Sequence, residues 1–210
     1  VDHRAHHHPG HILTVEDPIE YLFRHGQSTV DQREVGVDTH SFSDALHNAM
    51  RQAPDIIMIG EIRDRETMQH ALAYAETGHL CLSTLHASNA SQAVKRILNF
   101  FPESAHAQLR MDLSLNLQAV VAQRLVPAIS GGRALATEVL LHSAHVADLI
   151  LRGAEDELRN ALEKASTQGN HSFDQSLLEL VQAGRIDAET ALVHADSRTD
   201  LGLRMRLHSS

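Results

Sequence analysis

The stretch RQAPDIIMIGEIRD, Arg51–Asp64, contains four consecutive apolar residues, Ile56–Ile59, that run directly into Gly60 and Glu61. A short, fully apolar run after Pro54 predicts a strand buried on both faces, which is typical of a parallel sheet. A glycine at the end of a strand lets another backbone or a ligand approach closely. The carboxylate then lies where the strand leaves the core.

Strand and helix patterns alternate on both sides of this run. HILTV, His11–Val15, and HLCLSTLHA, His79–Ala87, predict two further strands, and helical spacing of apolar residues predicts helices between them. Two runs around Gly131-Gly132 predict a hairpin, and everything from Ser143 onward predicts helices. This alternation predicts an α/β fold with a parallel sheet flanked by helices.

Three segments carry less regular patterns. The polar stretch up to Asp38 predicts a short hairpin or a long loop, and the helix that starts at Pro102 extends toward Val121. His6–His8 predict a polar loop. Adjacent histidines without a cysteine or carboxylate at ligand spacing do not indicate a closed metal site, so a histidine-rich metal carrier is a distant alternative.

Composition excludes several classes of protein. The 210 residues carry a formal charge of −9, which disfavours non-specific binding of nucleic acid, and aromatic residues make up 3%, too few for base-stacking platforms. The single cysteine excludes an internal disulfide and a multi-cysteine zinc site. No apolar run approaches the roughly 18 residues of a membrane span, and no export leader opens the chain. We expect a soluble, cytoplasmic protein.

Polar side chains follow each of the predicted strands. Glu16-Asp17, Gly60-Glu61, and Thr84 with His86 come at the three strand ends. The carboxyl ends of parallel strands meet at one edge of a sheet, where ligands of open α/β folds bind. The sequence therefore predicts a binding or catalytic site at this edge.

Three ordered motifs resemble those of the secretion-type ATPases. MRQAPDIIMIGEIRD resembles their signature and atypical Walker B strand, ILTVEDPIEY resembles their Asp box, and TGHLCLSTLHA resembles their His box. The similarity covers nearly the whole chain. Stretches such as ETGHLCLSTLHA and MDLSLNLQAVVAQRLV, and the lack of a four-cysteine insert, resemble the type IV pilus retraction ATPases, the PilT/PilU branch, and within it the PilU group.

The resemblance implies a RecA-like ATPase core over residues 1–142, without its first strand and phosphate loop, and a helical C-terminal subdomain over residues 143–210. ATP binding in this family needs a GxxxxGK[ST] loop, and the only lysines, Lys95 and Lys164, do not follow a glycine loop. We therefore expect the C-terminal part of a longer ATPase, with only background hydrolysis by itself. ATP and Mg²⁺ are the implied cofactors.

The resemblance also implies an assembly and a place in the cell. We expect a homo-hexamer at the cytoplasmic face of the inner membrane, without a membrane span and without nucleic acid. The expected partners are the inner-membrane platform protein of the pilus and a paralogous retraction ATPase. The expected function is to couple ATP hydrolysis to pilus retraction and twitching motility.

The resemblance assigns roles to the residues at the strand ends. Glu61 is expected to hold Mg²⁺, directly or through water, and Glu16 to orient or deprotonate the attacking water, although the two roles could be exchanged. His86 would sense the γ-phosphate or contact the neighbouring subunit. Gly60 and Thr84 are expected beside the nucleotide.

Arginines complete the expected site. Arg33 or Arg24, in the polar stretch after the Asp box, could reach the nucleotide of a neighbouring subunit, since a planar guanidinium suits phosphate. A surface salt bridge is the alternative for both. We expect Arg63 to pair with a nearby acid.

Two other functions stay open at this point. The chain could be a non-catalytic packing module, as the missing phosphate loop favours, or a fragment of a RecA-like nucleic-acid motor, which the acidic balance disfavours.

Overall fold

The computed structural model describes residues 1–164 and 169–208 and divides the chain into two compact units, Val1–His86 and Ala87–Ser210. The first unit holds four strands and three α-helices within these residues. They are α1 (Asp2–His7), β1 (Gly10–Glu16), β2 (Ser28–Glu34), α2 (Phe42–Ala49), β3 (Ile56–Ile59), α3 (Arg65–Glu76) and β4 (Leu80–Ser83).

The four strands form one parallel sheet in the order β2-β1-β3-β4, which confirms the predicted parallel sheet flanked by helices. The central strands are apolar because both of their faces are covered, and Leu13, Ile57 and Ile59 are fully buried. The edge strand β4 is more open, since Leu80 and Leu82 are exposed.

Local signals explain where the helices of this unit begin. The Ser41 side chain accepts a hydrogen bond from the Asp44 N–H at the start of α2, and Asp64 accepts one from the Thr67 N–H at the start of α3. Asp64 directly follows the residues at the end of β3. The N-cap Asp64 therefore ends the short connection between β3 and α3, which contains Gly60 and Glu61.

Two predictions for this unit were wrong. The polar stretch up to Asp38 contains β2, an edge strand in which buried Ser28 and Val30 alternate with exposed Thr29 and Asp31. An edge strand has one neighbour and a half-solvated face, so it tolerates a polar sequence. His6 and His7 belong to α1 and not to a loop; Ala5 of that helix is buried against the sheet.

The second unit combines a hairpin with helices. The helix predicted to extend toward Val121 ends at Asn116, because the chain turns into the first strand of the hairpin. The elements are α4 (Ala90–Asn99), α5 (His106–Asn116), β5 (Ala119–Pro127), β6 (Arg133–Leu141), α6 (Ala144–Arg152), α7 (Leu158–Lys164), α8 (Phe173–Gln182), α9 (Ala188–His194) and α10 (Arg198–His208).

The antiparallel β5–β6 hairpin shares a core with the C-terminal helices. Its buried side chains, which include Val126 and Ala134, pack with Phe173, Leu177 and Leu201. The two compact units accordingly divide after His86, whereas the sequence predicted a boundary after residue 142. The assignment of residues 87–142 to the ATPase core stays a prediction.

The helical pattern predicted from Ser143 onward is present in the described residues. Residues 165–168 and 209–210 of that stretch lie outside them. Among the described helices, none is long and apolar enough to cross a membrane.

Candidate active site

The Glu16 carboxylate lies at the end of β1 and is 4% exposed. Thr14 Oγ1 donates to its Oε1 at 2.6 Å, and Gln32 Nε2 donates to the same oxygen at 3.0 Å. The register pairs Gln32 with Thr14, so these side chains and Glu16 lie on one face of the sheet. Two neutral donors therefore hold the carboxylate without cancelling its charge.

The second oxygen of Glu16, Oε2, accepts no hydrogen bond from the described residues. Among the described residues, every fully buried side-chain oxygen has a hydrogen-bond partner. Because Oε2 has none, it must be in contact with solvent. An ionised carboxylate oxygen only accepts hydrogen bonds. This oxygen can therefore orient a water molecule or take a proton from it.

Gly60 brings the ends of β1 and β3 together. Its N–H donates to the Val15 carbonyl at 2.7 Å. A Cβ at this position would lie 3.2 Å from both Glu16 Cα and Val15 O, closer than side-chain carbons ordinarily approach. The absence of a side chain thus allows Glu61, the next residue, to emerge beside the Glu16 strand end.

Glu61 has charged partners. Arg63 Nε donates to Glu61 Oε1 at 2.6 Å, and His86 Nε2 lies 3.2 Å from the same oxygen. The hydrogen bond from Arg63, together with the charges of Arg63 and His86, lowers the pKa of the Glu61 carboxyl below its usual value. The same bond raises the pKa of Arg63. Glu61 is therefore ionised at neutral pH.

Further contacts join the three strand ends. Arg63 Nη1 lies 3.5 Å from Asp17 Oδ2, so the predicted pairing of Arg63 with nearby acids is confirmed. Thr84 Oγ1 donates to the Gly60 carbonyl at 2.5 Å. The structure thus brings Glu16, Gly60, Glu61, Thr84 and His86 to one edge of the sheet, a group that we call the strand-end cluster.

The two candidate trans-acting arginines lie apart from this cluster. Arg24 is exposed and makes no hydrogen bond or ion pair within the described residues. Arg33 pairs in register with Val15, so its side chain lies on the opposite face of the sheet from Glu16. Neither contacts the strand-end cluster, and their roles stay predictions.

The strand-end cluster has two carboxylates, Glu16 and Glu61, which do not by themselves complete the coordination of a metal ion. Among the described residues, no three His, Cys, Asp or Glu side chains converge to hold a metal ion, the His6–His8 segment included. Mg²⁺ is commonly bound by one or two carboxylates together with phosphates and water. An ionised Glu61 with its Oε2 free of hydrogen bonds from the described residues fits that pattern.

Comparison with known proteins shows the family to which the chain belongs. The profile of the Type II/IV secretion system protein family matches residues 3–192. The chain belongs to this family. The match spans both compact units, so the family assignment does not depend on the strand-end cluster alone.

Several relatives of this family member are pilus proteins. It is 56% identical to the type IV pilus ATPase PilU of Pseudomonas aeruginosa over 95% of this chain and 53% of the relative. It is 41% identical to the type IV pilus retraction ATPase PilT of the same organism, over 86% and 53%. The chain thus spans about half the length of the curated relatives it matches.

A solved structure agrees with the fold. The structure described as the pilus retraction motor PilT with bound ADP superposes with a TM-score of 0.88 at 40% identity, over 96% of this chain and 57% of that chain. The resemblance inferred from the three sequence motifs is confirmed, including the PilT/PilU branch.

Sequence reasoning missed two residues of the site. Thr14 and Gln32 donate to Glu16, but the motifs assigned no role to either residue. The alternation of Ser28, Val30 and Gln32 on the inward side of β2 could have placed Gln32 on the Glu16 face. That alternation is hard to see because only Val30 is apolar.

Proposed function

We propose that this chain is the C-terminal part of the ATPase domain, without its phosphate loop, of a hexameric motor that uses ATP hydrolysis to power type IV pilus retraction and twitching motility. The supporting observation is 56% identity along 95% of the chain to an ATPase of the type IV pilus, PilU. The strand-end cluster adds the chemistry that such a motor needs, namely two ionisable carboxylates at the carboxyl edge of a parallel sheet.

Glu16 acts on the attacking water in this proposal. Its Oε1 is fixed by Thr14 and Gln32, and its Oε2 keeps contact with solvent. A carboxylate oxygen that no other donor occupies is open to a hydrogen bond or a proton from water. The sequence left the roles of Glu16 and Glu61 interchangeable, and this environment favours Glu16 as the base.

In this proposal, Glu61 binds the metal ion that accompanies the nucleotide phosphates. Arg63 and His86 lower the pKa of Glu61 and so keep its carboxylate ionised. A bound divalent ion would take the place of part of this interaction with the carboxylate. Mg²⁺, when bound, would neutralise charge that develops on the phosphates. His86 contacts Glu61 and is largely exposed, so it is placed to respond to the γ-phosphate or to a neighbouring subunit.

We further propose that the subunits form a ring, with Arg33 or Arg24 donated to the nucleotide of a neighbour. Both arginines lie outside their own strand-end cluster, which supports a role in trans. The proposed location is the cytoplasmic face of the inner membrane, and the proposed partners are the pilus platform protein and a paralogous retraction ATPase. No nucleic acid takes part.

The test compares this 210-residue chain with an N-terminally extended form that carries a phosphate loop, called the extended form below. We expect the chain to hydrolyse ATP at the background rate and the extended form to show Mg²⁺-dependent turnover. An extended form that binds no nucleotide would favour the alternative of a non-catalytic packing module, which the absence of GxxxxGK[ST] from these residues supports.

A mixing experiment tests the ring. Extended-form Arg33→Ala and Glu61→Ala proteins are combined, and recovery of activity that neither shows alone supports donation of Arg33 in trans. Co-assembly without recovery excludes Arg33 and makes Arg24 the next candidate.

A further inference from the structure

Gln32 makes three hydrogen bonds that join two parts of the first unit. Its Nε2 donates to Glu16 Oε1 at 3.0 Å and to the Tyr21 carbonyl at 2.9 Å. Its Oε1 accepts from the Phe23 N–H at 2.8 Å. One half-buried amide therefore engages both of its N–H groups and its oxygen.

The segment that Gln32 holds has little apolar surface to secure it. It connects β1 to β2, and Phe23 packs against the small core formed with α1. Tyr21 and Leu22 are 64% and 76% exposed. Among the described residues, the only other side-chain hydrogen bond to the backbone of residues 19–23 joins the Ile19 N–H to Glu34 Oε2 at 3.0 Å.

The two bonds from Nε2 are geometrically linked. The amide is planar, so its two N–H groups point in fixed directions relative to each other. A shift of the Tyr21 carbonyl that kept its hydrogen bond would turn the amide and move the donor that faces Glu16. Hydrogen bonds weaken steeply when their angle departs from linear.

We propose that Gln32 is a positioning residue, which sets the orientation of the Glu16 carboxylate and couples it to the conformation of residues 21–23. The inference rests on the proposed role of Glu16 in ATP hydrolysis. If Gln32 only held the loop in place, its hydrogen bonds to Tyr21 and Phe23 would be sufficient. The third bond, to Glu16, extends its effect to the site.

Two substitutions separate the parts of this proposal. Gln32→Met keeps the length of the side chain and removes all three hydrogen bonds. Gln32→Glu keeps an acceptor for the Phe23 N–H and removes both donors. Gln27→Met is the matched control, since Gln27 is exposed just before β2 and its side chain makes no hydrogen bond within the described residues.

Amide hydrogen exchange tests the loop in the 210-residue chain, without nucleotide. We expect the Phe23 amide to exchange about fivefold faster in Gln32→Met, as the loss of one net hydrogen bond predicts. It should be unchanged in Gln27→Met. Equal exchange in Gln32→Met and the unmodified chain would show that Gln32 does not hold the loop and would overturn the coupling.

Steady-state hydrolysis by the extended form tests the positioning. We expect both Gln32 variants to lower kcat by about 10–100-fold, the size of effect found when a hydrogen-bonded partner of a metal ligand is removed. KM for ATP should stay within about threefold, because Gln32 acts on the reacting carboxylate and not on binding. Retention of full kcat in Gln32→Glu would overturn the proposal.

A double-mutant cycle separates this proposal from the proposed function. In a Glu16→Gln background, neither Gln32 substitution should lower kcat by more than about twofold further, because residues that act through one another are not additive. Fully additive losses overturn positioning through Glu16. If Glu16→Gln alone keeps full activity, the role of Glu16 is wrong, and positioning falls with it. If Glu16→Gln is impaired while both Gln32 variants are normal, only the positioning is wrong.

Discussion

The ends of β1 and β3 hold their carboxylates in different ways. Glu16 is 4% exposed and is bound by the neutral donors Thr14 and Gln32. The Glu61 side chain is 17% exposed and is bound by the cation Arg63, with His86 beside it. Neutral donors orient a carboxylate and leave its charge available, whereas a cation partner must share the carboxylate with any metal ion. The difference suits Glu16 to act on water and Glu61 to bind a metal.

Replacing Glu16 should have the largest effect. In the extended form, we expect Glu16→Gln to lower kcat by about 10²–10⁴-fold, the range for loss of a positioned base, with little change in KM for ATP. Added Mg²⁺ should not restore the rate. Glu20→Gln, which changes an exposed carboxylate four residues along, is the control. A Mg²⁺-dependent rescue of Glu16→Gln would reverse the roles of the two carboxylates.

Glu61 should differ from Glu16 in its dependence on the metal ion. We expect Glu61→Gln to raise the half-saturating Mg²⁺ concentration by about 10-fold or more, since even supporting partners of a metal site contribute 10–100-fold. The rate should partly recover at high Mg²⁺. Titration of ATPase activity against Mg²⁺ measures this, with Glu76→Gln as the control on the exposed end of α3. An unchanged Mg²⁺ profile would remove Glu61 from the metal site.

Gly60 tests whether the two strand ends must be close. A methyl group there would lie 3.2 Å from Glu16 Cα, so we expect Gly60→Ala to lower the free energy of unfolding of the chain by about 1–3 kcal/mol. Chemical denaturation measures the change. Gly202→Ala is the contrasting variant. Gly202 lies within α10, and its added carbon would lie 3.5 Å from Leu192, an ordinary van der Waals distance. Equal stability of Gly60→Ala and the unmodified chain would show that the strand ends separate easily.

The smallest effect concerns protonation. Arg63→Met should raise the pKa of Glu61 back toward its usual 4.5, since its hydrogen bond and charge are the main causes of the lowered value. A lowered pKa means that the pair stabilises the fold above pH 4.5 and that this contribution is lost as the pH falls through the folded pKa. Carboxyl NMR titration measures both states, with Arg51→Met as the control. An unaltered pKa would assign the shift to other groups.

The sequence predicted those parts of the fold that depend on continuous patterns. Ile56–Ile59 predicted a buried strand because a strand covered on both faces needs apolar residues throughout. β2 was missed because an edge strand with a polar sequence resembles a loop. The compact units divide after His86, because hairpin residues such as Val126 share their core with helices far along the chain, and the predicted division of function after residue 142 stays a prediction.

The candidate site was predictable to a similar extent. Motifs located Glu16, Glu61 and His86, and the parallel sheet explains why they meet at one edge. The identity of the partners was not predictable, because Gln32 reaches Glu16 across 16 residues and Thr14 is an unremarkable strand residue. Side-chain hydrogen bonds between strands depend on register, which no local pattern specifies for a polar edge strand.

The ion pairs from Arg63 to both Asp17 and Glu61 affect how nucleotide binding depends on ionic strength. These two carboxylates share the Arg63 guanidinium, and Glu16 adds a third carboxylate at the same edge of the sheet. The combined field of the three carboxylates repels a polyphosphate, and it decays over a Debye length of about 8 Å at physiological ionic strength. Without Mg²⁺, added salt should therefore strengthen the contact of this edge with a nucleotide, opposite to the usual effect of salt on phosphate-binding proteins.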